Sequence, residues 1–151
     1  MDEGYNVYSY EVSKPRSLYA AAKLGCHMLE DANRTPEKID CFFSAHVIEH
    51  LPNPATLWEI ASNTLKSTGV IVIFTPNGDP VRQNIPSYHQ LWGQVHPLLI
   101  TTRGLETMAE KYEFHGRSYS SPYNLQAINS NSVGQLDGHE LLFIAQRKNG
   151  F

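Results

Sequence analysis

The amino-acid sequence predicts an α/β protein with a mostly parallel sheet and helices on its faces. Strand-like and helix-like segments alternate along the 151 residues, which is the order that produces parallel sheets. Two apolar runs, Ile39–Ala45 and residues 69–75, are typical of strands buried on both faces. A capped amphipathic segment separates them, so we expect the two runs to be adjacent and parallel at the centre of the sheet. The length suits a single domain, residues 1–151.

The N-terminal part predicts a strand, a helix and a second short strand. Residues 6–12, NVYSYEV, are rich in β-branched and aromatic side chains. The following SKPRSLYAAAKLG has Ser13 as N-cap, Pro15 in its first turn and Gly25 as its stop, which indicates a helix. Residues 26–29, CHML, are a candidate short strand.

The remaining elements follow the same alternation. Asn53 is placed to cap a helix that begins at Pro54, and residues 69–75, GVIVIFT, form the clearest strand. A loop over 76–97 leads to an amphipathic helix over 102–112. The strand-like FHGRSY and HELLFIAQR end the chain, separated by a predicted Ser-, Asn- and Gly-rich loop. The apolar faces of the two helices are predicted to consist of Leu57, Ile60, Ala61 and Leu65 in the first, and Leu105, Met108, Ala109 and Tyr112 in the second.

Composition excludes several classes of partner. The net charge is −3 and the twelve lysines and arginines are scattered without a basic run, so we expect no nucleic-acid partner. No apolar run is long enough to cross a membrane, and the N-terminus is acidic where a signal peptide would be basic. The chain is therefore expected to be cytoplasmic. Cys26 and Cys41 lie in apolar segments without a C-x-x-C spacing, which favours reduced, buried thiols.

The segment HVIEH, from His46 to His50, has two readings. H-x-x-E-H is the inverted zinc-peptidase pattern, in which two histidines on one helix hold a metal. That geometry needs a sustained helix, which Pro52 interrupts. It also needs a third ligand, for which the candidates are Glu30, Asp31, His89 and His96. Alternatively, the histidines simply cap or hydrogen-bond a turn; yet the segment follows an apolar strand, and open α/β sheets bind ligands at the carboxyl ends of their strands.

The order of motifs around this segment resembles the class I S-adenosylmethionine-dependent methyltransferases. IDCFFSAHVIEHL supplies an apolar fourth strand and an E-H-L segment; PNPATLWEIASNTLKSTG supplies a helix ending in L-K-x-x-G; VIVIFTPN supplies a fifth strand ending in T-P-N. Downstream, LWGQVHPLLITTRGLETMAEKYEF is also similar to the family. The resemblance runs from about Tyr5 to Arg147 and implies a Rossmann-like fold and S-adenosylmethionine as cofactor.

The resemblance implies roles for individual residues. Glu11 ends the first visible strand, where the family places an acid on the ribose hydroxyls. Glu30 and Asp31 follow the next strand, where the family holds an adenine contact. The methionine portion of the cofactor and the substrate would meet at the end of the fourth strand, and Thr75, Pro76 and Asn77 leave the fifth. The residues that leave the fourth strand are Ser44, Ala45 and His46.

For methyl transfer to an O, N or C acceptor, the protein has to align the partners and remove a proton. Histidine is the natural base near neutral pH. We favour His46 and His96, with His50 as a further candidate. The side chains expected to line an apolar pocket for a small-molecule substrate are Tyr88, Trp92 and Pro97.

One part of the family pattern is missing from these 151 residues. No G-x-G-x-x-G or G-x-G-x-G occurs, and only MDEGY precedes Asn6, so the first strand and its glycine-rich loop have no counterpart. The sequence therefore predicts an N-terminally truncated methyltransferase fold that binds S-adenosylmethionine weakly or not at all. We expect the edge that the missing strand would cover either to pair with residues 6–12 or to be covered in a homodimer. The alternative functions are a non-catalytic interaction or dimerisation module and, with less support, a zinc hydrolase.

Overall fold

The computed structural model describes residues 4–79 and 96–148. They belong to two compact units, Met1–Lys38 and Ile39–Phe151, each of which is described here by itself. Among the described residues, the helices are too short or too polar to cross a membrane.

The first unit contains one helix and two short parallel strands. Strand β1 is Tyr8–Ser9, helix α1 is Lys14–Leu24 and strand β2 is His27–Met28. The helix has Ser13 at its N-cap and Gly25, with φ of 65°, at its C-cap, which confirms both predicted boundaries. The first strand is shorter than the predicted 6–12, because its hydrogen-bonding partner β2 is itself only two residues long.

The second unit contains a four-stranded mixed sheet. Strands β3 (Ile39–Ala45), β4 (Leu65–Pro76), β5 (Phe114–Ser120) and β6 (Glu140–Arg147) are arranged in the order β3-β4-β6-β5. Strands β3 and β4 are parallel, whereas β6 is antiparallel to both β4 and β5. Three of the four strands therefore run in the same direction. The mostly parallel α/β sheet, with β3 beside β4, is confirmed.

Helices flank this sheet in the predicted order. A three-residue 3₁₀ helix, Ile48–His50, follows β3 and leads to α2, Ala55–Thr64. The Asn53 side chain accepts a hydrogen bond from the Ala55 amide at 3.1 Å, but the helix begins one residue later than predicted, with Pro54 at the N-cap. Helix α3, Thr102–Lys111, matches the amphipathic segment, with Leu105 and Ala109 buried. The short α4, Leu125–Asn129, lies in a Ser- and Asn-rich stretch that we predicted to be a loop.

Two predictions about β3 are wrong. The strand lies at an edge of the four-stranded sheet and is not buried on both faces: Phe43 is 63% exposed. Side chains alternate between the two faces of a strand, and Phe42 packs against the core cluster that includes α2, whereas Phe43 points to the other side. Of the two predicted ways to cover the edge of β3, pairing with residues 6–12 is not observed, since β1 pairs with β2, whereas the homodimer stays a prediction. The other edge of β3 has no partner strand among the described residues.

The core of the second unit is built around Trp58. This side chain is fully buried on α2, and its ring lies 6.5, 6.2 and 6.0 Å from the rings of Tyr112, Phe114 and Phe143. The helices and the sheet are thus held together by aromatic packing between α2, β5 and β6.

The two cysteines are free thiols in different surroundings. Cys26 is half-buried, whereas Cys41 is exposed. The prediction that both are buried is therefore wrong for Cys41, because it lies on the same uncovered face of β3 as Phe43.

Candidate functional site

The carboxyl ends of β3 and β4 meet the start of β6 at one edge of the sheet. Because β6 is antiparallel to β4, Pro76 is paired with Glu140. The side chains that follow β3 and β4 therefore lie beside those that begin β6. Sequence reasoning identified the first two groups and missed Glu140, because the direction of the last strand is not visible in its composition.

His46 immediately follows β3 in an unusual backbone conformation. Its φ is +53°, a left-handed value that is uncommon for residues other than glycine. Its amide donates to the Phe74 carbonyl at 2.9 Å, which fixes it against β4. Its Nε2 lies 3.0 Å from Glu140 Oε1, and its Nδ1 lies 3.3 Å from Glu49 Oε1. The imidazole, 48% exposed, thus stands between two carboxylates.

Glu49 of the E-H-L segment is directed into the protein. Its side chain is 2% exposed, and its Oε2 accepts a hydrogen bond from Thr75 Oγ1 at 3.1 Å. Its Oε1 has no hydrogen bond among the described residues, although it is within ion-pair distance of His46. The bond to Thr75 joins the E-H-L segment to the T-P-N segment at the ends of two neighbouring strands.

Asn77 holds the loop that leads into β6. It is fully buried, and its Nδ2 donates to the carbonyls of Leu136 and Gly138, both at 2.9 Å. Its Oδ1 accepts from the Asp79 amide at 3.0 Å. The asparagine of T-P-N is therefore a positioning residue for the strand ends.

The H-x-x-E-H segment does not form the zinc-peptidase helix. Only Ile48–His50 is helical, and it is a single 3₁₀ turn, since Pro52 follows closely. His50 instead packs on His96, with ring centroids 4.6 Å apart. Ligand-type atoms of Glu49, His50 and His96 all lie within 4.8 Å of one another. The structure thus places the two base candidates differently: His46 beside Glu140, and His96 beside His50.

The predicted cofactor residues fall in both units. In the first unit, the Glu11 carboxylate accepts from the Ser13 amide at 2.7 Å, so one of its oxygens holds the start of α1. Glu30 is exposed. Asp31 accepts from the Asn33 amide at 2.9 Å and pairs with Arg34, and the hydrogen bond from Asn33 is the main reason why the pKa of Asp31 is lowered. In this structure Asp31 organises its own loop.

In the second unit, Ser44, Ala45 and His46 lie in sequence at the end of β3. Ser44 is buried, and its Oγ has no hydrogen bond among the described residues. Buried hydroxyls are normally paired with protein, water or ligand, so this atom fits a contact to a bound molecule. Of the predicted pocket residues, Pro97 is exposed, whereas Tyr88 and Trp92 lie outside the described residues, as does His89.

Tyr123 is an aromatic residue near the end of β4 that the sequence analysis did not identify. Its ring packs edge-on against Phe74 at 5.7 Å. The pKa of Tyr123 is raised to about 12, mainly by burial and secondly by the negative charge of Glu140. Both effects favour the neutral phenol in the folded protein.

The raised pKa of Tyr123 predicts a stability difference at alkaline pH. Because the folded pKa lies above the ordinary value of 10.0, the contribution of this tyrosine is present below about pH 10 and is lost as the pH rises towards 12. Between these values, stability should fall less steeply in Tyr123→Phe than in the parent chain. Chemical unfolding followed by circular dichroism at several pH values measures this; parallel curves would contradict it.

Comparison with known proteins identifies the fold. No protein-family model and no curated protein matches the chain. Solved structures do match: a Thermotoga maritima S-adenosylmethionine-dependent methyltransferase, described as a possible histamine N-methyltransferase, aligns at TM-score 0.66 and 16% identity over 95% of this chain and 73% of that one. An S-adenosylmethionine-dependent methyltransferase from Clostridium acetobutylicum aligns at 0.66 and 8% identity, over 95% and 75%.

The plantazolicin methyltransferase BamL, solved with a desmethyl-plantazolicin analogue and S-adenosylhomocysteine, is also similar. It aligns at TM-score 0.66 and 12% identity, over 97% of this chain and 70% of that one. The chain therefore has the fold of solved S-adenosylmethionine-dependent methyltransferases.

Proposed function

We propose that the chain is a class I S-adenosylmethionine-dependent methyltransferase acting on a small molecule. The observation that carries the proposal is the Glu49–Thr75 hydrogen bond, which joins the E-H-L and T-P-N segments at the strand ends of a methyltransferase fold. Ligands bind at this edge of open α/β sheets. A small acceptor is favoured by the net charge of −3 without a basic run and by the similarity to the plantazolicin enzyme. We propose a cytoplasmic location.

The residues at the end of β3 fit the reacting end of the cofactor. When bound, S-adenosylmethionine supplies a methyl group on a positively charged sulfur, which is a ready leaving group. His46 would remove a proton from the acceptor. Both ring nitrogens face carboxylates, so the acceptor would take the place of the 41% exposed Glu140 side chain at Nε2. Nε2 would then receive the proton, and Glu49, 3.3 Å from Nδ1, would stabilise the resulting imidazolium. His96 is the second candidate base.

The 151 residues lack the glycine-rich loop that lets backbone approach the cofactor closely. We therefore propose that this chain by itself binds S-adenosylmethionine weakly, and that activity needs a strand and glycine-rich loop ahead of residue 6. DNA that continues in frame upstream of residue 1 and encodes such a segment would support this proposal.

Transfer of labelled methyl groups tests the proposed reaction. The chain, joined to the first strand and glycine-rich loop of a solved methyltransferase, is incubated with labelled S-adenosylmethionine and either the ultrafiltrate or the macromolecules of a cell extract. We expect label in the small molecules, and His46→Asn should lower kcat about a hundredfold with little change in KM. His115→Asn, on the exposed side of β5, is the control. If only the macromolecules become labelled, the proposal of a small-molecule acceptor is wrong. If neither fraction becomes labelled, the proposal of methyl transfer is wrong.

A second candidate function is that of a non-catalytic module that pairs through β3. Its support is the strand edge without a partner among the described residues, together with the exposed Phe43. Light scattering on the 151-residue chain should then show a dimer that Phe43→Lys dissociates. A monomer at all concentrations would contradict this function.

A further inference from the structure

Three side chains at the strand-end edge bring metal-binding atoms together. One carboxylate oxygen of Glu49 and one ring nitrogen each of His50 and His96 lie within 4.8 Å of one another. Two imidazoles and one carboxylate are a ligand set that suits zinc and other first-row transition metals, whereas magnesium and calcium prefer oxygen ligands alone.

The three ligands come from two elements that the fold holds together. Glu49 and His50 are neighbours on the 3₁₀ turn, and His96 lies ahead of α3. Bonds of about 2.0–2.2 Å in a tetrahedral site place ligand atoms roughly 3.4 Å apart. Each separation therefore needs to shorten by at most about 1.4 Å, which rotation of the exposed His50 and half-buried His96 side chains can supply.

The surroundings of Glu49 independently favour a cation. The carboxylate is 2% exposed, and its Oε1 has no hydrogen bond among the described residues, although the His46 ring lies within ion-pair distance at 3.3 Å. A buried carboxylate oxygen without a hydrogen bond costs free energy unless a charge or donor compensates it. A bound cation would do so, and the Thr75 hydroxyl on Oε2 would then orient the ligand, as outer hydrogen bonds do in metal sites.

We propose that Glu49, His50 and His96 bind one divalent transition-metal cation, for which Zn²⁺ is the best fit, with one coordination position open. This set differs from the zinc-peptidase pattern, because His46 is directed to Glu140 and is replaced as a ligand by Glu49. An acceptor hydroxyl in the open position would lose its proton more easily, and His46 would receive it, because His96 would then be a zinc ligand and not a base. That role rests on the proposed function, whereas zinc binding itself does not.

Calorimetric titration of zinc into the 151-residue chain, prepared without a polyhistidine tag, tests the site. We expect one zinc per chain with a micromolar or lower Kd, and no comparable binding of magnesium. His50→Ala and His96→Ala should each weaken zinc binding at least tenfold, and so should Glu49→Gln. His115→Ala removes an exposed histidine outside the cluster and should leave the affinity unchanged.

Two results would overturn the site: no stoichiometric zinc binding by the parent chain, or equal binding by the His50→Ala/His96→Ala double variant. Circular dichroism verifies that each variant is folded, and the exposed position of His50 makes that variant decisive if Glu49→Gln unfolds. Because S-adenosylmethionine is absent from this titration, its outcome is independent of the test of methyl transfer.

Discussion

Joining a strand and a glycine-rich loop ahead of residue 6 should raise the affinity for S-adenosylmethionine by about a hundredfold or more. The proposed strand-end contacts, including one from the buried Ser44, would be only part of those that the cofactor needs. A bare glycine backbone lets the cofactor approach closely, and without it both contacts and orientation are lost together. Calorimetry should give a Kd in the micromolar range for the joined chain and weak or unmeasurable binding for the 151 residues.

A variant of the joined chain tests the assignment of Glu11. Glu11→Ala should weaken cofactor binding about tenfold, because a carboxylate can accept two hydrogen bonds from a ribose diol. Glu106→Ala, which removes an exposed carboxylate from α3, is the matched control. Equal affinities for Glu11→Ala and the parent would remove Glu11 from the site. Stoichiometric micromolar binding by the unextended chain would show that the glycine-rich loop is dispensable.

Trp58→Ala should lower the free energy of unfolding by about 3–5 kcal/mol. The indole is fully buried and contacts Tyr112, Phe114 and Phe143. Truncation leaves a cavity between α2 and the sheet that rigid neighbours cannot close. Urea unfolding followed by circular dichroism measures the loss.

Two further variants separate this packing effect from a general sensitivity to mutation. Trp58→Phe keeps an aromatic ring and also removes an indole N–H that has no hydrogen bond among the described residues, so we expect a loss below about 2 kcal/mol. Leu125→Ala, at a position that is 72% exposed, should change stability by less than about 0.5 kcal/mol. A loss below about 1 kcal/mol for Trp58→Ala would contradict the description of this core.

Local sequence signals were sufficient where a segment carries its own boundaries. Ser13 and Gly25 delimit α1 because capping preferences depend on the residues at the ends of the helix. The strand Ile39–Ala45 was located to the residue, since a short, mostly apolar run with two aromatic side chains is typical of a strand. Asn53 likewise located the start of α2 to within one residue.

Properties that depend on distant partners were not predictable. Strand β4 begins at Leu65, within the polar L-K-S-T-G stretch, because Leu65 pairs with Ile39 before a register shift. Nothing in that stretch itself indicates a strand. The exposure of Phe43 likewise depends on which layers cover β3, and the site residue Glu140 depends on the direction of β6.

The spacing of the H-x-x-E-H motif did not predict the backbone conformation of the segment. H-x-x-E-H suggested two histidines on one helix, but only Ile48–His50 is helical; His46 precedes this turn and lies beside Glu140, whereas His50 packs on His96. The chemistry of the segment is set by the end of β3 and by Pro52. Glu49, which the zinc-peptidase pattern would use as a base, instead lies buried against Thr75.

The location of bound cofactor tests the central claim most directly. A crystal structure of the joined chain with S-adenosylhomocysteine should show the homocysteine portion at the carboxyl end of β3, in contact with Ser44, Ala45 or His46. The Ser44 hydroxyl should gain a hydrogen-bond partner there. Density for the ligand at any other place, with the end of β3 unchanged, would contradict the assignment of this edge as the methyl-transfer site.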